Sequence, residues 1–125
     1  MRYIVEERDG LIVVRVPEGA TDEALDGDSL YTQVEAILAV DARRYLLLHD
    51  LRGTPRSSVR RRRFTEWVSA NEQLIETRIR AYAIVAGSAL LEGMITAVLW
   101  VMSPPIQWRT FSDPREAEQW LWGLP

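Results

Sequence analysis

The chain has 125 residues, 47% of them apolar and 26% charged, with a formal net charge of −3. That balance excludes disordered and collagen-like classes, and a chain this long hides roughly two thirds of its unfolded surface, enough for one core and too little for two. There is no cysteine, which removes disulfide scaffolds, thiolate zinc sites and a cysteine nucleophile, and all 15 basic residues are arginine, which removes a lysine Schiff base and a P-loop lysine.

In chain order, residues 3–7 and 11–16 read as strands flanking Asp9-Gly10, a hairpin turn signal because both residues tolerate positive φ. Residues 18–28 are acidic and contain Gly19 and Gly27, so they read as a loop. Leu30, Val34, Ile37 and Leu38 share one face of a helix over residues 30–40, capped by Asp28 or Ser29. Residues 44–51, RYLLLHDL, form the nearly continuous apolar run of a strand buried on both faces, broken by Gly53 and Pro55. Residues 58–78 carry the longest helical pattern. Phe64, Trp67, Val68, Leu74 and Ile75 fall on one side, and Glu66, Ser69, Glu72 and Glu76 on the other.

Residues 81–102 hold one formal charge, Glu92, over a membrane-spanning length. Gly87-Ser88 interrupts them, so they read as a strand over 79–86, a turn, and a helix over 89–102 rather than a transmembrane segment. Pro104-Pro105 stop that helix. Residues 106–111 alternate as a strand, and Asp113-Pro114-Arg115-Glu116 starts a last helix with an N-cap, a proline at N1 and a glutamate at N3. The order β-β-α-β-α-β-α-β-α predicts a single α/β domain over 1–125. Its mixed sheet has about five strands, the central ones parallel, with four helices and right-handed crossovers.

Three stretches carry a family resemblance: YLLLHDLRG at residues 45–53, RIRAYAIVAGS at 78–88 and FSDPREAEQWL at 111–121. Over nearly the whole chain this pattern resembles the STAS domain family, the fold of anti-sigma-factor antagonists. It is most similar to the divergent sporulation anti-sigma-factor-antagonist-like branch, which overlaps in pattern with CRAL-TRIO-like domains. The phosphorylatable members carry an Asp-Ser-Ser-Gly-type turn after the strand. Here Arg56 stands for the Asp and Val59 for the Gly around Ser57-Ser58, a departure from the phosphoswitch pattern. The resemblance implies a bacterial-type, cytoplasmic, non-enzymatic regulatory or scaffolding module that acts by protein binding. It places the partner surface on the turn after the Asp50 strand (Asp50, Arg52, Thr54, Ser57, Ser58), the arginine helix and the Gly87-Ser88 turn. No cofactor is implied.

Arg60-Arg61-Arg62-Arg63 lie in the first turns of a helix, where free N–H groups and guanidiniums together attract anions, so an acidic or phosphorylated partner fits. The alternative is a solvated face, with Arg62 paired to Glu66 and Arg63 stacked on Trp67. A net acidic chain with one short basic cluster lacks the footprint of a nucleic-acid binder. In the helix over 89–102, apolar residues cover more than one face. Either Trp120 and Trp122 cover the excess, or Leu90, Met94 and Trp100 form an interface for a homo-oligomer. A second functional class is open: a lipid or small-ligand pocket between helices and sheet.

Ser88 follows Gly87 without a G-x-S-x-G motif and reads as an N-cap. His49, the single histidine, reads as a satisfied sheet-edge residue. Counting Asp22, Asp26 and Gly27 as a calcium loop puts Ala24 at position three and Gln33 at twelve, which fails for want of the bidentate glutamate. No other metal set is present. The charge is uneven: residues 1–50 carry −6, residues 51–80 carry +5 and residues 81–125 carry −2. Such a surface orients an acidic partner or a second copy head to tail.

Overall fold

The computed structural model describes residues 4–16, 27–39, 43–52 and 59–125. Strand β1 (Ile4–Arg8) turns into β2 (Leu11–Arg15) and pairs with it antiparallel. The turn is the one that Asp-Gly predicts: Asp9 has φ 51° and Gly10 φ 92°, both left-handed. Then follow α1 (Gly27–Leu38), β3 (Tyr45–Asp50), α2 (Val59–Ala70), α3 (Glu72–Arg78), β4 (Ile79–Val85), α4 (Ala89–Met102), β5 (Gln107–Phe111) and α5 (Pro114–Trp122).

The sheet order is β1-β2-β3-β4-β5, with β2 through β5 parallel. Each parallel strand is therefore laid beside its predecessor. Right-handed crossovers between such neighbours all fall on one face, which puts α1 to α4 together. On that face Ile12, Val14, Leu47, Tyr82 and Ile84 of the strands pack with Val34, Leu38, Val68, Ile75 and Leu99 of the helices. The other face carries Leu11, Val13, Leu46, Leu48, Ala81, Ala83 and Val85, and meets Ala117 and Leu121 of α5. This is why β3 and β4 read as unbroken apolar runs: both of their faces are covered.

One expectation is corrected. Among the described residues there are five helices, not four, because the pattern over 58–78 breaks at Asn71. Asn71 leaves helical geometry (φ −125°, ψ 27°), and its side-chain amide donates to the Trp67 carbonyl at 2.8 Å. A short polar side chain competing for backbone partners ends a helix in this way. The apolar periodicity runs through the break because Val68 of α2 and Ile75 of α3 are buried in the same core.

For the excess apolar surface of α4 the sequence leaves two readings open. Helix α5 lies on the opposite face of the sheet, where Trp120 packs on Phe111 with ring centroids 5.7 Å apart. Trp122 is itself half exposed, and its indole N–H reaches Glu118 Oε1 at 3.4 Å. The C-terminal tryptophans therefore do not cover α4, and Leu90, Met94, Trp100 and Val101 stay exposed. Among the described residues no helix is long and apolar enough to cross a membrane.

Candidate functional site

The carboxyl ends of β3 and β4 bring two sequence-separated turns together. Backbone bonds set the approach: Leu51 N–H donates to the Val85 carbonyl at 2.8 Å, and Ala86 N–H to the Phe111 carbonyl at 2.9 Å. A Cβ added at Gly87 would stand 3.4 Å from both Cα and O of Arg52, so glycine lets the turn after β4 lie directly on the turn after β3.

Asp50 closes β3 with its side chain buried, and Arg52 clamps it. Arg52 Nε donates to Oδ1 at 2.9 Å, its terminal NH2 donates to Oδ2 at 2.7 Å, and its backbone N–H donates to Oδ1 at 3.1 Å. Burial alone would raise the Asp50 pKa. The Arg52 hydrogen bonds and charge outweigh it and hold the carboxyl below the usual carboxylate range. The Arg52 side chain is half exposed, so the pair presents a fixed guanidinium at the surface beside exposed Gly87 and Ser88.

Ser88 is the N-cap of α4, as the sequence predicts. Its backbone is extended and its hydroxyl oxygen accepts from Leu91 N–H at 3.1 Å. Thr54, Ser57 and Ser58 lie outside the described residues. Arg60, Arg61, Arg62 and Arg63 occupy the opening turns of α2. Helix α2 follows the carboxyl end of β3 and α4 follows that of β4, so both helices start at the same end of the sheet.

His49 departs from expectation. It is no edge residue: β3 is the middle strand, with Val14 on one side of His49 and Ile84 on the other. Its ring is buried against the helical layer. Nδ1 shares a 2.8 Å hydrogen bond with the Tyr82 hydroxyl, and Nε2 has no hydrogen-bond partner. Burial pushes its pKa down to about 4 against a smaller upward pull from Asp50, so the ring is neutral at pH 7. Beside Tyr82, an apolar cleft of about 30 Å³ lies between Leu47, Val68, Ile79 and Leu99, with no polar lining to hold a water. Among the described residues no group of His, Asp and Glu is gathered to hold a metal ion.

A family model described as SpoIIAA-like matches residues 11–122. The chain belongs to the SpoIIAA-like family. A crystal structure of an uncharacterised protein with a SpoIIAA-like fold from Shewanella loihica PV-4 superposes with a TM-score of 0.66 at 18% identity. The superposition covers 95% of this chain and 91% of that one. No curated protein matches the chain. The SpoIIAA-like assignment bears out the expected STAS-like fold.

Of the residues singled out by sequence, the structure brings Asp50, Arg52, Gly87 and Ser88 into one cluster and leaves Leu90, Met94 and Trp100 along a separate surface. No sequence signal points to Tyr82. It lies two residues before Ile84, the partner of His49 across the strands, so only the pairing of β3 with β4 reveals it.

Proposed function

We propose that this SpoIIAA-like chain is a non-enzymatic regulatory module that binds a protein partner at the carboxyl end of β3 and β4. The observation that carries the reading is the clamp of Arg52 on Asp50 with Gly87 packed against it. A charged pair is spent on fixing the shape of two exposed turns, which is what a recognition surface needs. The Ser88 hydroxyl oxygen is occupied as a helix cap and His49 Nδ1 faces Tyr82, roles that belong to structure rather than to nucleophile and base.

The partner chemistry follows from charge. Four arginines open α2 at this end of the sheet, and cations at a helix start are unfavourable for the helix itself. Their planar forks favour carboxylate or phosphate groups, so the partner presents an acidic or phosphorylated surface. The ligand-pocket alternative would use the apolar cleft beside Tyr82, which at about 30 Å³ is small for a lipid.

The test compares the wild-type chain with Arg60→Glu/Arg61→Glu as bait for an interacting protein, identified first from neighbouring genes. The expected result is a stable wild-type complex and a loss of at least tenfold in affinity for the variant, with circular dichroism and melting unchanged. Equal binding by both chains refutes the site.

A further inference from the structure

The exposed face of α4 adjoins the edge of β5, which among the described residues pairs with no further strand, and the two together fit a second copy of this chain. Along α4, Leu90, Gly93, Met94, Ala97, Trp100 and Val101 are exposed, a stripe with no charge in it. The helix's one charged residue, Glu92, turns toward the sheet and accepts from the Thr110 hydroxyl of β5 at 3.1 Å. Leu90 and Trp100 are 72% exposed and Val101 87%. With a tryptophan among them, these side chains leave roughly 500 Å² of apolar surface to water. Two copies would bury about 1,000 Å² from these side chains alone, the floor for a specific interface, before the strands are counted.

The sheet edges differ in the same sense. At the β1 edge Glu6, Glu7 and Arg8 are exposed, and Arg15 pairs with Glu6 at 2.8 Å, the charged dressing that blocks edge pairing. The β5 edge carries one charge, Arg109, whose guanidinium lies over the Phe111 ring at 5.2 Å. The Phe111 carbonyl points to β4, so by alternation the backbone groups of Trp108 and Thr110 point outward. Trp108 also meets Trp100 edge-on at 6.1 Å, which makes strand edge and helix stripe one continuous surface.

We infer that the chain forms a twofold homodimer in which β5 pairs antiparallel with β5 of a second copy and α4 packs on α4 across the axis. The spacing agrees. A crossover helix lies between its two strands, half a strand spacing inside β5, and the axis lies half a spacing outside it. The two α4 axes then stand about 10 Å apart, the distance at which helices pack. Placing the axis at Trp108 pairs outward-facing backbone with outward-facing backbone. It sets Gln107 opposite Arg109 rather than arginine opposite arginine.

Sedimentation of the full chain from low to high micromolar concentration is expected to show a dimer. Leu90→Glu/Val101→Glu should sediment as a monomer with native circular dichroism. If that variant misfolds, Trp100→Ser at the same surface should weaken the dimer at least tenfold. Because the chain has no cysteine, an equimolar mixture of Gln107→Cys and Arg109→Cys chains reports the register: oxidation should cross-link the mixture well above either chain alone. A wild-type monomer throughout, including one that instead takes up another protein or a lipid, overturns the proposal. So does a dimer untouched by the α4 substitutions, or one whose mixed cysteines do not cross-link.

Discussion

Replacing His49 by asparagine should remove a large part of the chain's acid sensitivity. In the fold the ring is buried and neutral, with its pKa near 4, whereas in the unfolded chain it returns to 6.5. Protons therefore bind the unfolded state first. Stability from this group is complete above pH 6.5 and is lost as pH falls from there through 4. The full shift is worth roughly 3 kcal/mol, of which about 2 kcal/mol has gone by pH 5. That is a large share of a domain's usual 5–15 kcal/mol. Asp50 acts elsewhere: its pKa is depressed from 3.8, so its stabilisation is lost only below that value. Urea unfolding followed by tryptophan fluorescence at pH 8, 7, 6 and 5 gives the slope for wild type and His49→Asn. The asparagine amide can still reach the Tyr82 hydroxyl, and the slope rather than the absolute stability is compared. The expected difference accumulates to about 2 kcal/mol by pH 5. Equal slopes in the two chains would falsify the claim that this ring is held neutral.

Other outcomes follow from the same structure. Arg52→Ala strands the buried Asp50 carboxylate and should cost about 1–3 kcal/mol in urea unfolding, the lower part of that range being expected because Arg52 is half exposed. Adding Asp50→Asn to it should recover part of the loss, and a purely additive double variant would show that the pair is not coupled. Ser88→Ala removes the cap of α4 and should cost about 1 kcal/mol, read as a lower melting temperature. Gly10→Ala forces a side chain into φ 92° at the hairpin turn and should cost about 1 kcal/mol or more; an unchanged melting temperature would show that the turn relaxes. Leu99→Ala in the core beneath α4 should cost about 2–5 kcal/mol.

The sequence made most of the architecture legible, because local signals and tertiary needs agree here. Asp9-Gly10 specifies its hairpin, Asp113-Pro114 starts α5, and Gly87-Ser88 separates β4 from α4 without help from distant residues. Asn71 was harder: the apolar spacing of Val68 and Ile75 survives the break, so periodicity alone shows one helix. The environment of His49 was harder still. A histidine near the end of a strand looks peripheral until the sheet order makes that strand central, and its partner Tyr82 comes from another strand. The excess apolar surface of α4 was visible in the sequence. Whether α5 covered it depended on which side of the sheet α5 takes, and no residue of α5 encodes that alone.

The order of strands in space is the order of strands in the chain. Each new strand from β2 onward can dock on the one made just before it, so the sheet can grow during synthesis without waiting for a distant segment. The helical layer grows with it, one crossover at a time. The opposite face follows a different schedule. Its apolar side chains, from Leu11 to Val85, wait for Ala117 and Leu121 of α5, the last element described. The nascent chain therefore passes through an interval with a finished sheet and one bare side, and that interval is when chaperone contact or aggregation should concentrate.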